Sequence, residues 1–284
     1  MPYSRLTEHK RYPPTRYYYG KHSSQFGHLY RGLGNRLPGI VVLIHGGFWQ
    51  TYRSLDIISP LAEELSMRGA DTWNIEYRRV GEGNWEATLN DCAAAIDYLH
   101  YLAPEHGIDT ANVWAVGHSA GGHLAVWAAG RRAVAERESS GVPNVSLRGA
   151  VSLSGILDLR HAWEAGLGNG ALADFLGVSR EEDFRPSAEV DPLSRLPIGV
   201  PIRCFHGSSD TRVPITQSSH YVEAARGLGD DAELVEVPGT HSDMINVHRG
   251  ACWQAIDGVL EFVGRARERP TASHEWDLSK VREE

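Results

Sequence analysis

The sequence predicts an α/β protein built on a mostly parallel sheet with helices on both faces. Residues 40–44 form an aliphatic run without polar alternation, which is typical of a strand covered on both sides. Strand-like and helix-like segments alternate along most of the chain with short connections, a pattern that favours βαβ units and parallel strands. In 284 residues nothing internal reads as a linker, so we expect one domain over residues 1–284.

The elements can be placed in chain order. Aromatic, β-prone segments at residues 17–19 and 26–30 predict an antiparallel hairpin at a sheet edge. After the strand at 40–44 we predict a helix with Ser59 as N-cap and Pro60 in its first turn. The next predicted elements are a strand at 72–77, a helix at 89–103, a strand at 113–116, a helix at 120–130, a polar loop at 133–146 and a strand at 147–153. The last ones are a strand at 202–205, a helix at 216–228, a strand at 232–237 and a helix with Trp253, Ile256, Leu260 and Val263 on one face.

Residues 156–197 interrupt this alternation. They mix apolar and acidic segments, contain a glycine-rich stretch at 166–170 and hold three prolines. An insertion of this length without clear strands often lies over the sheet as a functional loop, so we expect a small helical cap. Residues 266–284 are charged and uneven, which predicts a frayed tail.

Composition excludes several function classes. The net charge is −8 and no Lys/Arg-rich block occurs, which argues against nucleic acid or an anionic membrane as partner. The cysteines are odd in number and lack C-x-x-C spacing, so we expect buried thiols and no metal site at Cys92, Cys204 and Cys252. No apolar run approaches ~18 residues and the N-terminus has no apolar segment, which predicts a cytoplasmic protein. No G-x-G-x-x-G follows the first strand, so we expect no dinucleotide cofactor.

The stretch at residues 117–122, Gly-His-Ser-Ala-Gly-Gly, directly follows an apolar strand-like run. A strand that enters a G-x-S-x-G turn and then a helix presents the serine at the tip of a sharp bend, where larger residues at the glycine positions would clash. Ser119 is therefore the candidate nucleophile. The alternative is a glycine-rich turn in which Ser119 is only a helix N-cap. His118 and His123 flank the turn and are expected to pack beneath it.

A serine hydroxyl needs a base within hydrogen-bond reach, and that base needs an acid to orient it. In chain order the acid and then the histidine should follow the serine, on loops at the carboxyl ends of strands. Asp210 and His241 fit these positions. Taken alone, Asp210 could be a turn residue and His241 a surface histidine. The oxyanion also needs donors: the Ala120 N–H at a helix start is one candidate, and the loop at 45–48 can supply others.

Four motifs together resemble the α/β-hydrolase fold, in particular its hormone-sensitive-lipase-like esterases and kynurenine formamidases. They lie at residues 45–50, 117–122, 209–214 and 239–241, and the likeness extends from about residue 17 to about residue 263. The resemblance implies a triad of Ser119, Asp210 and His241. It also implies oxyanion donors from Gly47, Phe48 and Ala120.

The loop at 45–50 departs from the H-G-G-G of many such esterases. Phe48 replaces the third glycine, and the H-G-G-aromatic-Trp form looks most like the formamidases. The backbone donor survives this change, and we expect the ring to narrow the acyl side of the pocket. We also expect an aromatic-lined cleft, with core or cap packing as the alternative for each residue, from Trp49, Tyr77, Trp85, Trp163 and Met244.

The sequence therefore predicts a cofactor-independent serine hydrolase that cleaves small carboxylic esters through an acyl-enzyme. An arylformamidase acting on a substrate such as N-formylkynurenine is the alternative. A third possibility is a non-catalytic protein of the same fold that only binds a ligand. No oligomeric state is predicted.

Overall fold

An eight-stranded sheet forms the centre of the computed structural model, which describes residues 13–180, 184 and 189–264. Its strands are β1 (Thr15–Tyr18), β2 (Phe26–Tyr30), β3 (Ile40–Ile44), β4 (Asp71–Ile75), β5 (Val113–His118), β6 (Gly149–Leu153), β7 (Ile202–Gly207) and β8 (Ala232–Val237). The order across the sheet is β1-β2-β4-β3-β5-β6-β7-β8. The β1–β2 and β2–β4 pairs are antiparallel and the other pairs are parallel, which confirms the predicted edge hairpin and parallel core.

Helices connect these strands. The α-helices of the described residues are α1 (Ser59–Met67), α2 (Trp85–Asp97), α3 (Leu99–Glu105), α4 (Ala120–Ala129), α5 (Arg131–Arg137), α6 (Leu159–Glu164), α7 (Ala171–Leu176), α8 (Thr216–Gly227) and α9 (Gly250–Gly264). Short 3₁₀ turns lie at Leu55–Ile57, Leu193–Arg195 and Ser242–Met244.

The core has two parts, because successive side chains of each strand point to opposite faces of the sheet. In β3, Ile40, Val42 and Ile44 belong to a cluster with α2 and α4, whereas Val41 and Leu43 belong to a cluster with α1 and α9. Every residue of β3 and of β5 is buried. This two-sided coverage explains why the sequence of β3 shows no polar alternation.

Three local predictions were wrong. The segment predicted as a polar loop at 133–146 begins with α5, where Arg132 donates to Glu136 at 2.8 Å one turn later, a spacing that supports a helix. The predicted helix at 89–103 is divided into α2 and α3 at Tyr98. Ser59 is not an N-cap: α1 follows a 3₁₀ turn, and the Ser59 hydroxyl donates instead to the Leu55 carbonyl at 3.1 Å.

The described part of the insertion at 156–197 is helical, with α6, α7 and one 3₁₀ turn, as expected for a cap. The predicted tail at 266–284 lies outside the described residues, as does most of the N-terminal segment before β1. All three cysteines are free and buried, as predicted. Among the described residues, no helix combines the length and apolar character needed to cross a membrane.

Candidate active site

Ser119 occupies a sharp turn between β5 and α4. Its backbone lies at φ 58°, ψ −121°, and its side chain makes no hydrogen bond that would cap α4. The N-cap alternative is therefore wrong, since an N-cap serine has an extended backbone and accepts from the first turn. A Cβ on Gly117 would lie 2.0 Å from the Gly121 carbonyl oxygen, and a Cβ on Gly121 would lie 2.1 Å from that of Ile44. These close approaches are the physical reason for the two glycines of the motif.

His241 and Asp210 are brought together by the loops that follow β8 and β7. The Nδ1 atom of His241 lies 2.7 Å from Oδ2 of Asp210, and both side chains are almost completely buried. The other carboxylate oxygen, Oδ1, accepts the backbone N–H groups of Arg212 and Val213, each at 2.9 Å. Asp210 is thus held by the backbone of its own turn and accepts the hydrogen bond that His241 Nδ1 donates.

The surroundings of Asp210 favour its ionised form. Burial raises the pKa of this carboxyl, but the hydrogen bond and charge of His241 and the N–H donors of Val213 and Arg212 outweigh it, so the pKa is lowered. An ionised Asp210 accepts from Nδ1 and leaves Nε2 of His241 as the basic nitrogen.

His118 docks the His241 loop directly beside Ser119. Its Nε2–H donates to the His241 carbonyl oxygen at 3.0 Å, and the two imidazole rings lie 4.5 Å apart between centroids. Burial, followed by the nearby charge of His241, lowers the pKa of His118 to about 3. His118 therefore stays neutral, and its hydrogen bond holds the backbone of His241 against the residue that precedes Ser119. Sequence reasoning placed His118 beneath the turn but did not find this role, because nothing local marks a contact across 123 residues.

The neutral buried state of His118 predicts a pH dependence of stability. An unfolded histidine takes up a proton near pH ~6.5, whereas folded His118 does so only near pH 3, so stability decreases as the pH falls between these values. His118→Gln removes this one proton. We expect the plot of unfolding free energy against pH, from urea titrations at pH 4.5–6, to become flatter by about 1.4 kcal/mol per pH unit.

The control for this experiment is His248→Gln, because His248 is exposed. It should leave the slope of the wild-type protein unchanged. An unaltered slope in His118→Gln would show that His118 is already protonated in the folded protein.

The loop after β3 lies against Ser119. A Cβ on Gly46 would lie 2.9 Å from the Ser119 Cβ and 2.6 Å from the His118 carbonyl oxygen, so only glycine fits there. Within the described residues, the N–H groups of Gly47 and Phe48 donate to no protein acceptor. Ala120 is the first residue of α4, a position whose N–H has no partner inside the helix. The sequence pointed to these three N–H groups as candidate oxyanion donors, but not to the contact of Gly46 with Ser119.

A buried hydrogen bond to a carboxylate anchors the start of this loop. His45 Nε2 lies 2.8 Å from Glu76 Oε1, and the same carboxylate lies 3.1 Å from the Arg79 guanidinium and accepts the Leu55 N–H at 2.9 Å. Burial raises the pKa of Glu76, but the His45 hydrogen bond and charge and the Arg79 charge bring it below its ordinary value. The sequence offers no periodicity that would pair these residues, so this network was not predicted.

The five residues predicted to line the pocket do not meet in one open cleft. The side chains of Trp49, Tyr77 and Met244 are fully buried and therefore offer no surface to a substrate. Tyr77 stacks on His45 at 4.4 Å and supports the loop after β3 from below. Trp163 is partly buried and stacks on Phe184, and Trp85 is partly buried at the start of α2.

A family model called BD-FAE matches residues 32–224. The chain belongs to the BD-FAE family. Solved esterase structures share the fold of this chain. A truncated form of a carbohydrate esterase from gut microbiota superposes with a TM-score of 0.75 at 19% identity, covering 92% of this chain and 99% of that one. Esterase 2 of Thermogutta terrifontis, phosphoramylated by tabun, superposes with a TM-score of 0.71 at 23% identity, covering 89% and 95%. The predicted fold is thereby confirmed.

Sequence relatives of this BD-FAE chain carry esterase names. Isoprenylcysteine alpha-carbonyl methylesterase ICME of Arabidopsis thaliana is 29% identical over 246 residues, which are 80% of this chain and 56% of that protein. Esterase LipC of Mycobacterium tuberculosis (strain ATCC 25618 / H37Rv) is 26% identical over 275 residues, covering 91% and 68%. The chain thus spans little more than half the length of its plant relative. The relationship to α/β-hydrolase esterases that the motifs predicted is confirmed.

Proposed function

We propose that the protein is a serine hydrolase that cleaves small carboxylic esters. The observation that carries this proposal is the 2.7 Å contact between His241 Nδ1 and Asp210 Oδ2. The backbone of His241 is hydrogen-bonded to His118, the residue before Ser119, and the Ser119 side chain makes no hydrogen bond that caps α4. The esterase names of the relatives support the same reaction class. The triad and the oxyanion donors are part of this proposal.

In the proposed reaction, Nε2 of His241 takes the proton from Ser119 Oγ as that oxygen attacks the ester carbonyl. The carbonyl oxygen becomes an oxyanion, which the N–H groups of Gly47, Phe48 and Ala120 stabilise. His241 then gives its proton to the leaving alcohol, and the carbon–oxygen ester bond breaks to leave an acyl group on Ser119. A water molecule, deprotonated by the same imidazole, attacks this acyl-enzyme and releases the acid and free Ser119.

A second candidate is the hydrolysis of an arylformamide. It is favoured by the packing of the Phe48 ring against the cap, where a Cβ on Gly168 would lie only 2.6 Å from that ring. We expect a ring held there to limit the room beside the carbonyl carbon, and a formyl group is the smallest acyl group. The two candidates share the nucleophile, the base and the oxyanion donors, but the formamide loses an arylamine through its carbon–nitrogen bond where the ester loses an alcohol.

Covalent labelling tests the proposed chemistry without knowledge of the substrate. A fluorophosphonate probe should modify the protein, and peptide mapping by mass spectrometry should find the adduct on Ser119, because only an activated serine displaces the fluoride. The binding-only alternative predicts an unmodified Ser119. Absence of the adduct would therefore refute the proposal.

A substrate panel separates the two candidates. We expect kcat/KM to be highest for p-nitrophenyl acetate and to fall for the butyrate and decanoate esters, since Phe48 limits the acyl side. N-formylkynurenine belongs in the same panel. A higher kcat/KM for it than for every ester would replace the ester proposal by the formamide one, and a preference for decanoate would contradict both.

A further inference from the structure

The loop of the proposed oxyanion hole has an unfavourable backbone. Gly47 lies at φ 120°, and it is followed by two aromatic residues in the left-handed region, Phe48 at φ 50° and Trp49 at φ 57°. Glycine adopts such angles without cost, but for bulky residues they are rare and persist only where the surrounding structure enforces them. Something outside the loop must hold this conformation.

The cap supplies these contacts through α7 and the turn before it. The Trp49 ring stacks on Phe175, with centroids 4.4 Å apart and planes inclined by 10°, and both side chains are fully buried. The next loop residue, Gln50, donates from Nε2 to Asp174 Oδ2 at 3.3 Å. The Phe48 ring leaves no room for a side chain at Gly168. Three successive loop residues are thus in contact with the cap.

His123 adds a second hold on the same tryptophan. The Trp49 indole N–H donates to His123 Nδ1 at 3.3 Å, and His123 Nε2–H donates to the Val190 carbonyl oxygen at 2.8 Å. His123 lies in α4, one helical turn after Ser119. Burial lowers the pKa of His123 to about 4, so the neutral ring keeps one acceptor and one donor nitrogen. The His123 side chain therefore links Trp49 of the loop to α4 and to the cap.

We propose that Phe175 and His123 are positioning residues of the oxyanion hole. Neither supplies an oxyanion donor. They fix the Trp49 ring, and through it they hold the preceding peptide N–H groups of Gly47 and Phe48 in the left-handed geometry that points them toward the reacting carbonyl. The inference rests on the proposed esterase function and assigns part of its transition-state stabilisation to the cap.

The first test is Phe175→Leu, which keeps an apolar side chain but removes the flat stack. Loss of one oxyanion donor commonly lowers kcat by about 10²–10³-fold. We expect a loosened loop to lower kcat for p-nitrophenyl acetate by about 10–100-fold with KM changed less than about threefold, because the donors act mainly on the transition state.

The matched control is Phe262→Leu. Phe262 packs its ring against Trp114, with centroids 4.7 Å apart, near the start of β5 and thus at the opposite end of that strand from Ser119. This variant should keep kcat within about twofold. Equal kcat losses in the two variants would overturn the inference and reduce the role of Phe175 to core packing.

Two variants of His123 give an independent test. Asparagine retains an oxygen acceptor for the Trp49 indole, whereas leucine retains none. We expect kcat to decrease in the order wild type, His123→Asn, His123→Leu. Affinity for a trifluoromethyl ketone, whose adduct with serine carries an oxyanion, should decrease in the same order and by similar factors. This comparison also decides the matter should Phe175→Leu not fold.

The outcomes distinguish the two proposals. A wild-type protein without esterase activity and without a Ser119 adduct would refute the proposed function itself. If the wild type is active and both His123→Asn and His123→Leu bind the ketone as tightly as the wild type, only the positioning role would be refuted.

Discussion

Ser119→Ala should lower kcat for p-nitrophenyl acetate by about 10⁶-fold, the loss found when the nucleophile of a serine protease is removed. In the proposed mechanism, loss of the hydroxyl leaves no group to form the acyl-enzyme and no proton for His241 to take. Ser119 caps nothing, and alanine carries the same Cβ at the same strained turn. The melting temperature should therefore stay close to that of the wild type.

Ser152→Ala is the matched control for this prediction. Ser152 is a buried serine of β6, the strand next to β5, and its hydroxyl accepts the Gly155 N–H at 3.1 Å. Removal of this hydroxyl should lower the stability of the protein but leave kcat close to the wild-type value. If Ser119→Ala, purified free of other esterases, kept more than a hundredth of the wild-type kcat, the assignment of Ser119 as nucleophile would be wrong.

Asp210→Asn should lower kcat by about 10⁴-fold. The asparagine oxygen can still accept the N–H groups of Arg212 and Val213, so its NH₂ group must face His241. That NH₂ can only donate, and it forces Nδ1 of His241 to accept and Nε2 to carry the proton. The imidazole then has no lone pair for the Ser119 proton, although the geometry of the loop is retained.

Asp230→Asn provides the corresponding control. Asp230 is also buried, and its two carboxylate oxygens accept the N–H groups of Ile198 at 2.7 Å and Gly199 at 2.9 Å, but it contacts neither Ser119 nor His241. We expect kcat within a few-fold of the wild type and a lower melting temperature. A loss in Asp210→Asn no larger than in Asp230→Asn would remove Asp210 from the proposed triad.

Most of the fold could be predicted because its signals are local. The uninterrupted apolar run of β3 reports burial on both faces, and the alternation of strands and helices implies parallel pairing. The elbow was also predictable, because Gly117 and Gly121 are required by a turn whose steric demands arise largely between near neighbours. The errors at Ser59 and α5 concern element ends and a polar surface helix, where apolar periodicity is weak.

The predicted pocket could not be derived from local sequence signals. Trp49 and Tyr77 were expected to face a substrate because they lie on loops after β3 and β4. The structure buries both, one against Phe175 and the other against His45. An aromatic residue near a site has the same local sequence whether it lines the cleft or supports it, so only its packing partners decide.

By itself, the sequence determined the parallel α/β architecture, the elbow at Ser119 and the order in which Asp210 and His241 follow it. Strand periodicity, glycine sterics and the convergence of loops at the carboxyl ends of parallel strands suffice for these. Only the tertiary structure decided that His118 anchors the His241 loop, that Gly46 touches Ser119 and that the cap holds Trp49. These contacts join segments far apart in the chain, and they depend on strand register and helix docking, which no local pattern encodes.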